Sequence, residues 1–216
     1  MNRLYIGNRR YSSWSLRGWL AVKLAGLEVE EIVIPLAGGN TPEVKRISPS
    51  GFVPLLEHNG NLVWDSLAIV EYCAELTPLW PADRAARATA RAISAEMHSG
   101  FRDLRNDMPM TVCGSFPGHG RTPGAAADIA RIELLWSEAR MRSGGSFLFG
   151  AFGAADVMFA PVAARFATYR PELTPESEEY CSAVLSHPLV AEWIAAAAAE
   201  PAEWRIARYE AAALPG

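Results

Sequence analysis

The chain has 216 residues, of which half are hydrophobic, and its 20 basic and 24 acidic side chains leave a formal net charge of -4 at pH 7. This composition predicts a globular protein with one large domain or two small ones. The charges are spread along the chain without the basic stripe that binds nucleic acid, so we expect no nucleic-acid partner. No apolar stretch is long enough for a membrane span, and the first residues lack the apolar core of a signal peptide. We therefore expect no membrane association and a cytoplasmic location.

The cysteines and histidines show none of the spacings that metal sites or disulfide frameworks use. Cys73, Cys113 and Cys181 are far apart and form no CxxC pair, which predicts three small buried residues. The sequence also lacks HExxH, GxSxG and GxGxxG motifs, so nothing indicates a metallohydrolase, a serine hydrolase or a dinucleotide-binding protein. We therefore expect no metal.

Up to residue 80, short apolar strands alternate with amphipathic helices. A loop containing Gly38, Gly39 and Asn40 follows the second strand, and Asn59-Gly60 predicts a hairpin between the last two strands. The order is βαβ followed by αββα, which predicts an α/β domain over residues 1–80. The predicted strands cover residues 4–7, 29–35, 54–58 and 61–64, and the predicted helices cover residues 15–25, 41–47 and 65–76.

Beyond residue 83 the strand signals disappear and alanine-rich helical patterns take over. The pattern predicts an all-helical second domain over residues 84–216. One long helix is predicted from the apolar residues Ile93, Met97, Phe101, Leu104 and Met108, which recur at helical spacing. Further helices are predicted around residues 129–139, from about 154, and over 176–185 and 189–200.

Three loops of the first domain carry polar or proline-containing motifs. YSSWSLR, residues 11–17, joins the first strand to the first helix, Val53-Pro54 precedes the third strand, and Asp65-Ser66 opens a helix. Hydroxyl groups at a helix N-terminus either cap the helix or help to hold an anion. From the stretch YSSWSLR alone both interpretations stay open. If the domain folds as one small sheet, we expect the three loops at one edge.

This arrangement of elements and motifs resembles the glutathione S-transferase family. The resemblance implies a thioredoxin-like α/β N-terminal domain, an all-α C-terminal helical domain, a homodimer and glutathione as co-substrate. It implies a cis-proline motif in which Val53, before Pro54, pairs its backbone with the cysteinyl part of glutathione, while Asp65 and Ser66 hold the γ-glutamyl end. Residues 152–156, FGAAD, resemble the family's helix-capping motif, with glycine in place of the usual Ser or Thr. The carboxylate bond of that cap is therefore expected and the hydroxyl bond is not.

The segment YSSWSLRGWLA is similar to the active-site segment of serine-type, zeta-like members of the family. The resemblance implies that Ser12 activates the thiol, with Ser13 as a neighbour that also reaches the sulfur. Tyr11 is the rival, because other classes use a tyrosine. Trp14 stands where zeta-like members have cysteine, which argues against their isomerase activity and against redox chemistry. A hydroxyl is suited to the task because hydrogen bonding to a thiolate lowers the pKa of the thiol from about 8.5.

The resemblance also implies that the second substrate binds in a cleft beside the first helix of the second domain. Arg17 follows the serines and faces a ligand or a dimer partner, or is a solvated or salt-bridged surface residue. Core filling is the competing interpretation for Met108. The predicted lining residues are Tyr11, Trp14, His98, Phe101, Arg102, Arg105 and Met108.

The favoured function is glutathione transfer to an electrophilic, mostly apolar small molecule, of the kind used in detoxification. One alternative is glutathione-dependent isomerisation of a maleylacetoacetate-like acid, with Arg17, Arg102 or Arg105 binding carboxylates. The other is a non-catalytic protein that binds glutathione or a ligand. The resemblance implies that an apolar residue such as Phe52 inserts into the dimer partner.

Overall fold

A computed structural model describes residues 1–39 and 41–210 of the chain. Asn40 of the predicted Gly38-Gly39-Asn40 loop and the last six residues of the predicted second domain lie outside the described residues. Within them, four strands form one sheet in the order β2-β1-β3-β4. The strands are β1 (Arg3–Gly7), β2 (Glu30–Ile34), β3 (Leu55–His58) and β4 (Asn61–Val63).

The sheet is mixed, as the predicted βαβ and αββα order requires. Strand β1 pairs parallel with β2 and antiparallel with β3, so that Leu4 lies between Glu31 and Leu56. A parallel pair needs a crossover, and the first helix supplies it. Strands β3 and β4 form the predicted hairpin, with positive φ angles at Asn59 and Gly60. The thioredoxin-like fold of the first domain is confirmed.

The helices of the first domain are α1 (Ser13–Leu24), α2 (Pro42–Ile47) and α3 (Ser66–Leu76). Helices α1 and α3 pack against each other through buried residues that include Leu16, Leu20 and Ile69. Helix α1 begins two residues earlier than the predicted start at residue 15. Helix α1 thus begins immediately after Ser12, and helix α3 begins immediately after Asp65.

The remaining described residues form helices joined by loops, as predicted for the second domain. Helix α7 lies at its centre and packs against α1, α4 and α8. The helices are α4 (Arg84–Ser99), α5 (Arg102–Asp107), α6 (Pro123–Ser143), α7 (Ala154–Tyr169), α8 (Pro175–Ser186), α9 (Pro188–Ala198) and α10 (Ala207–Glu210), with a 3-10 turn at Ala202–Trp204.

Across residues 1–39 and 41–210, no single helix has both the length and the apolar character to cross a membrane, and α8 and α9 pass that test only as a pair bent by 70°.

Two details of the second domain differ from the sequence-based expectation. The predicted long helix through residues 93–108 is wrong, because α4 ends at Ser99 and Phe101 adopts a left-handed conformation with φ of 57° before α5. The apolar stripe nevertheless stays buried on both sides of the break. Cys113 is exposed and not buried, whereas Cys73 and Cys181 are buried as expected.

The start of α7 is capped by the carboxylate of Asp156, as the FGAAD motif implies. Its Oδ2 accepts the backbone N–H of Gly153 at 3.0 Å, and no side-chain cap hydrogen bond is present at Gly153. Its Oδ1 accepts the N–H of Leu148 at 3.0 Å and the hydroxyl of Tyr180 at 3.1 Å. Asp156 therefore joins the start of α7 to the loop before it and to α8.

Candidate active site

A cavity of about 570 Å³ opens where the loops before β3 and before α3 meet the second domain. Val53 and Pro54 line it from the first loop, and Asp65 and Ser66 line it from the second. The Val53-Pro54 peptide bond is cis. Gly18 of α1 allows the close approach of this loop, because a Cβ there would lie 2.8 Å from Cγ of Pro54.

Asp65 and Ser66 place polar groups at the N-terminus of α3. Oδ1 of Asp65 accepts the backbone N–H groups of Leu67 and Ala68, and its Oδ2 lies 2.9 Å from Nε2 of His98 on α4. The hydrogen bond from His98 lowers the pKa of Asp65 below its ordinary value, against the effect of burial. The hydroxyl of Ser66 is buried and has no hydrogen-bond partner within the described part of the chain. It is available to a bound polar group.

A second cavity, of about 270 Å³, lies at the N-terminus of α1. Ser12 and Ser13 line one part of it, and Arg105 and Arg165 line another. Trp14 lines both cavities and is the residue that they share. The Val53-Pro54 and Asp65-Ser66 loops thus line one cavity, and the YSSWSLR stretch contributes Trp14 to it while its serines line the other.

The two serines have different hydrogen bonds. Ser12 is the N-cap of α1: its Oγ accepts the N–H of Ser15 at 3.2 Å and donates to Oγ of Ser15 at 2.7 Å. Oγ of Ser15 also accepts the N–H of Gly7 at 2.9 Å. The hydroxyl of Ser13 makes no hydrogen bond within residues 1–39 and 41–210. Ser12 thus has the structural capping role, while the Ser13 hydroxyl can donate to a ligand in the cavity.

The hydroxyl of Tyr11 is hydrogen-bonded to two of the last described residues. It donates to Oε1 of Glu210 and accepts the N–H of Ile206 at 3.2 Å. Burial, together with the hydrogen bond to Glu210, raises the pKa of Tyr11 to about 12. Because both directions of its hydrogen bonding are in use, Tyr11 is less suited than Ser13 to bind a sulfur anion.

Trp14 is packed among cationic and aromatic groups. The Cζ atoms of Arg17 and Arg105 each lie 4.8 Å from its ring centroid, and His98 contacts it edge-on at 5.2 Å. Arg17 is fully buried and its Nε donates to the carbonyl oxygen of Met158. The interpretation of Arg17 as a surface residue is therefore wrong. These contacts fix the indole of the residue that lines both cavities.

The structure brings most of the predicted site residues to these cavities, but not all of them. Arg102 is exposed on α5 and Phe101 is buried at the helix break, and neither lines either cavity. Met108 lines a separate cavity beside Arg121, and its carbonyl oxygen accepts Nε of Arg165 at 2.8 Å. Arg165 itself was not predicted from the sequence, because a lone arginine in an apolar helix carries no signal of a binding site.

The described residues contain no group of three or more His, Cys, Asp or Glu side chains placed to bind a metal ion.

Comparison with known proteins matches both domains to the same family. The model of the glutathione S-transferase N-terminal domain matches residues 11–76, and that of the C-terminal domain matches residues 125–196. A maleylacetoacetate isomerase from Rattus norvegicus is 30% identical over 178 residues, which cover 80% of this chain and 81% of that protein. The chain belongs to the glutathione S-transferase family.

Other members of the glutathione S-transferase family show how broad this similarity is. Glutathione S-transferase L1 of Arabidopsis thaliana is 25% identical over 89% of this chain and 76% of its own length. The theta class glutathione S-transferase of Xanthomonas axonopodis pv. citri, solved with glutathione bound, superposes with a TM-score of 0.65. It is 27% identical and the match covers 90% of this chain and 98% of that one. Both the fold and the family implied by the sequence motifs are thus confirmed.

Proposed function

We propose that the protein is a glutathione transferase that binds glutathione in the larger cavity and an electrophile in the smaller one. The observation that carries this proposal is that Trp14, in the first turn of α1, lines both cavities, which makes it the expected junction between them. A thiolate at that junction faces both the helix N-terminus and the second substrate. Catalysis then rests on proximity and on stabilisation of the anion.

The larger cavity offers complementary groups for a peptide with a γ-glutamyl end. The Ser66 hydroxyl has no other partner in the described chain, and it lies at the N-terminus of α3, where the partial positive charge of the helix attracts an anion. Both features suit the α-carboxylate, while Asp65 suits the α-ammonium group. Val53, directly before the cis bond, suits backbone pairing with the cysteinyl residue.

At the junction we assign the sulfur contact to the Ser13 hydroxyl and a supporting role to Ser12. A thiol with a pKa of about 8.5 is only a few per cent ionised at neutral pH. One hydrogen bond to a charged group contributes about 1.5–3 kcal/mol, which lowers the pKa by roughly 1–2 units. The bound thiolate then becomes a major species. This assignment differs from the motif resemblance, which implies Ser12, because the Ser12 hydroxyl already caps α1.

The test is a pH titration of the ultraviolet thiolate absorbance of bound glutathione. We expect a pKa below that of free glutathione in the wild type, loss of most of that shift in Ser13→Ala, and a smaller loss in Ser12→Ala. A shift lost only in Ser12→Ala would move the role to Ser12. An unshifted pKa in the wild type would contradict the transferase proposal and favour a glutathione-binding protein without turnover.

A glutathione-dependent isomerase is the second candidate, favoured by the 30% identity to a maleylacetoacetate isomerase. The presence of Trp14 within the YSSWS segment, where zeta-like members have cysteine, speaks against it. The two reactions differ in what happens to the thiol, because an isomerase regenerates glutathione and a transferase consumes it. Following glutathione concentration and product mass with a candidate substrate separates them.

We also propose a homodimer. The ring of Phe52 is 74% exposed at the rim of the larger cavity, although it is large and apolar. Insertion into a second copy of the chain would bury it. Such a contact would lie next to the proposed glutathione site.

A further inference from the structure

Two arginines line the smaller cavity, the predicted Arg105 and the unpredicted Arg165. Arg165 of α7 is only 4% exposed, and Arg105 of α5 is partly buried. Leu36, Pro109 and Met110 complete an apolar wall of the same cavity. The space therefore combines two cationic groups with an apolar surface.

Backbone carbonyl groups hold the two guanidinium groups in place. Nε of Arg105 donates to the carbonyl oxygen of Gly100 at 3.0 Å, and its Nη2 donates to that of Met97. Arg165 donates from Nε to Met108 and from Nη1 to Pro161. Within the part of the chain that the structure describes, Nη1 of Arg105 and Nη2 of Arg165 have no hydrogen-bond partner. Each arginine thus keeps one terminal nitrogen for a ligand.

The charges of these arginines are not neutralised by ion pairs. Among residues 1–39 and 41–210, no carboxylate forms a salt bridge with Arg105 or Arg165; Asp128 acts on Arg105 only at longer range. Burial and the charge of Arg105 lower the pKa of Arg165 to about 9, which still leaves it charged at neutral pH. Arg17, fully buried beside Trp14, adds a third charge, with Nη1 and Nη2 unpaired within the described chain. Buried like charges without a counterion are costly, and a bound anion would offset that cost.

We propose that Arg105 and Arg165 bind a carboxylate on the second substrate, so that the enzyme prefers acidic electrophiles with an apolar body. This inference rests on the proposed transferase function and adds the class of its second substrate. Two guanidinium nitrogens from different helices suit the two oxygens of a carboxylate. The apolar body lies against Pro109 and Met110, and the reacting carbon faces the thiolate at Ser13.

A matched pair of electrophiles tests the preference. 4-(Chloromethyl)benzoate and 4-(chloromethyl)benzamide have the same reacting carbon and nearly the same shape, but only the first is charged. In both, the thiolate sulfur forms a bond to the benzylic carbon, the carbon–chlorine bond breaks and chloride leaves; the thiol proton has already passed to water. We expect kcat/KM for the benzoate to exceed that for the benzamide by about tenfold or more, after subtraction of the uncatalysed rates.

Variants then assign the preference to the arginines. In Arg105→Met and Arg165→Met the benzoate-to-benzamide ratio should fall at least about tenfold, the effect of one charge-assisted hydrogen bond. Arg105→Lys should recover part of the ratio, since it restores a charge without the planar fork. Arg102→Met, which removes an exposed arginine of the same helix, is the matched control and should leave the ratio unchanged. Because the ratio is internal to each variant, a general loss of active enzyme does not affect it.

A binding measurement separates failure of this inference from failure of the transferase proposal. 4-Methylbenzoate, which has no leaving group, should raise the thermal unfolding midpoint of the wild type more than 4-methylbenzamide does, and Arg165→Lys and Arg105→Met should reduce the difference. If neither electrophile reacts but 4-methylbenzoate binds selectively, the anion site stands and the transferase proposal fails. If both electrophiles react with equal kcat/KM, the transferase proposal stands and the carboxylate site is refuted.

Discussion

The buried carboxylate of Asp156 makes stability depend on pH in a direction that can be worked out from its surroundings. Asp156 is 1% exposed, and burial raises its pKa from 3.8 to about 6, although hydrogen bonds from Leu148, Gly153, Tyr180 and its own backbone N–H act in the opposite direction. Between these two pKa values the folded state binds more protons than the unfolded state. Stability therefore falls as pH rises through this window.

The size of the effect follows from the difference in pKa. Two units correspond to about 3 kcal/mol over the whole titration, of which roughly 1 kcal/mol falls between pH 5 and pH 8. In Asp156→Ala this pH-dependent part disappears, but the N–H groups of Leu148 and Gly153 and the hydroxyl of Tyr180 lose their acceptor. Each costs about 1 kcal/mol or more. We thus expect Asp156→Ala to be destabilised by about 2–4 kcal/mol at pH 5, and by roughly 1 kcal/mol less at pH 8.

Urea unfolding of the wild type, Asp156→Ala and Asp156→Asn across this pH range measures both terms. The asparagine variant keeps one acceptor oxygen and is neutral throughout, so its offset should be smaller than that of alanine. The stability difference between the wild type and Asp156→Asn should change with pH by the same amount as that for Asp156→Ala, because the pH dependence comes from the wild-type carboxylate. If the stability difference of either variant from the wild type instead grows as the pH rises, hydrogen bonding outweighs burial in setting the pKa of Asp156, and the reasoning is refuted.

Three further predictions concern the site. His98→Gln should raise the pKa of Asp65, since the His98 hydrogen bond is the largest cause of its lowering. As the pH falls, calorimetric titrations should then show glutathione affinity being lost at a higher pH than in the wild type. An unchanged pH profile would show that the Asp65–His98 pair does not control binding. Tyr11→Phe should leave the thiolate absorbance of bound glutathione unchanged but increase proteolysis near residues 206–210, whereas loss of the thiolate would restore Tyr11 as the activating residue. Phe52→Ser should convert a dimer to a monomer in sedimentation experiments, with Leu134→Ser, at another exposed apolar position, as the control that stays dimeric.

The fold was predictable because its signals are local. Alternating apolar residues, the Asn59-Gly60 hairpin and the Val53-Pro54 and Asp65-Ser66 pairs each lie within a few neighbouring residues. The break at Phe101 was missed for a related reason. Residues before and after it are buried on one continuous side, so apolar periodicity does not register the interruption. Gly100 was the available signal, because glycine is unfavourable inside a helix.

The arginines show what a linear reading of the sequence does not reveal. Arg17, Arg105 and Arg165 belong to three different helices; the motif resemblance pointed to Arg17 and Arg105 as candidate ligand-binding residues, but Arg165 resembles an ordinary surface residue in the sequence. Only the packing of α7 against α1, with α5 beside it, brings the three charges to one place. Their shared environment is a property of the tertiary structure, whereas an apolar pocket was the default expectation for the family.

The choice between Ser12 and Ser13 depends on the residue at which helix α1 begins. Two adjacent serines at a strand-to-helix junction have the same chemistry, and the resemblance implies the first of them. Helix α1 begins at Ser13, which makes Ser12 the N-cap and directs its hydroxyl to Ser15. Had the helix begun one residue later, Ser13 would have taken the cap and Ser12 would have kept a hydroxyl for the ligand. Helix boundaries are the part of secondary structure that sequence determines least well, so the reason for proposing Ser13 in place of Ser12 comes from the observed start of α1.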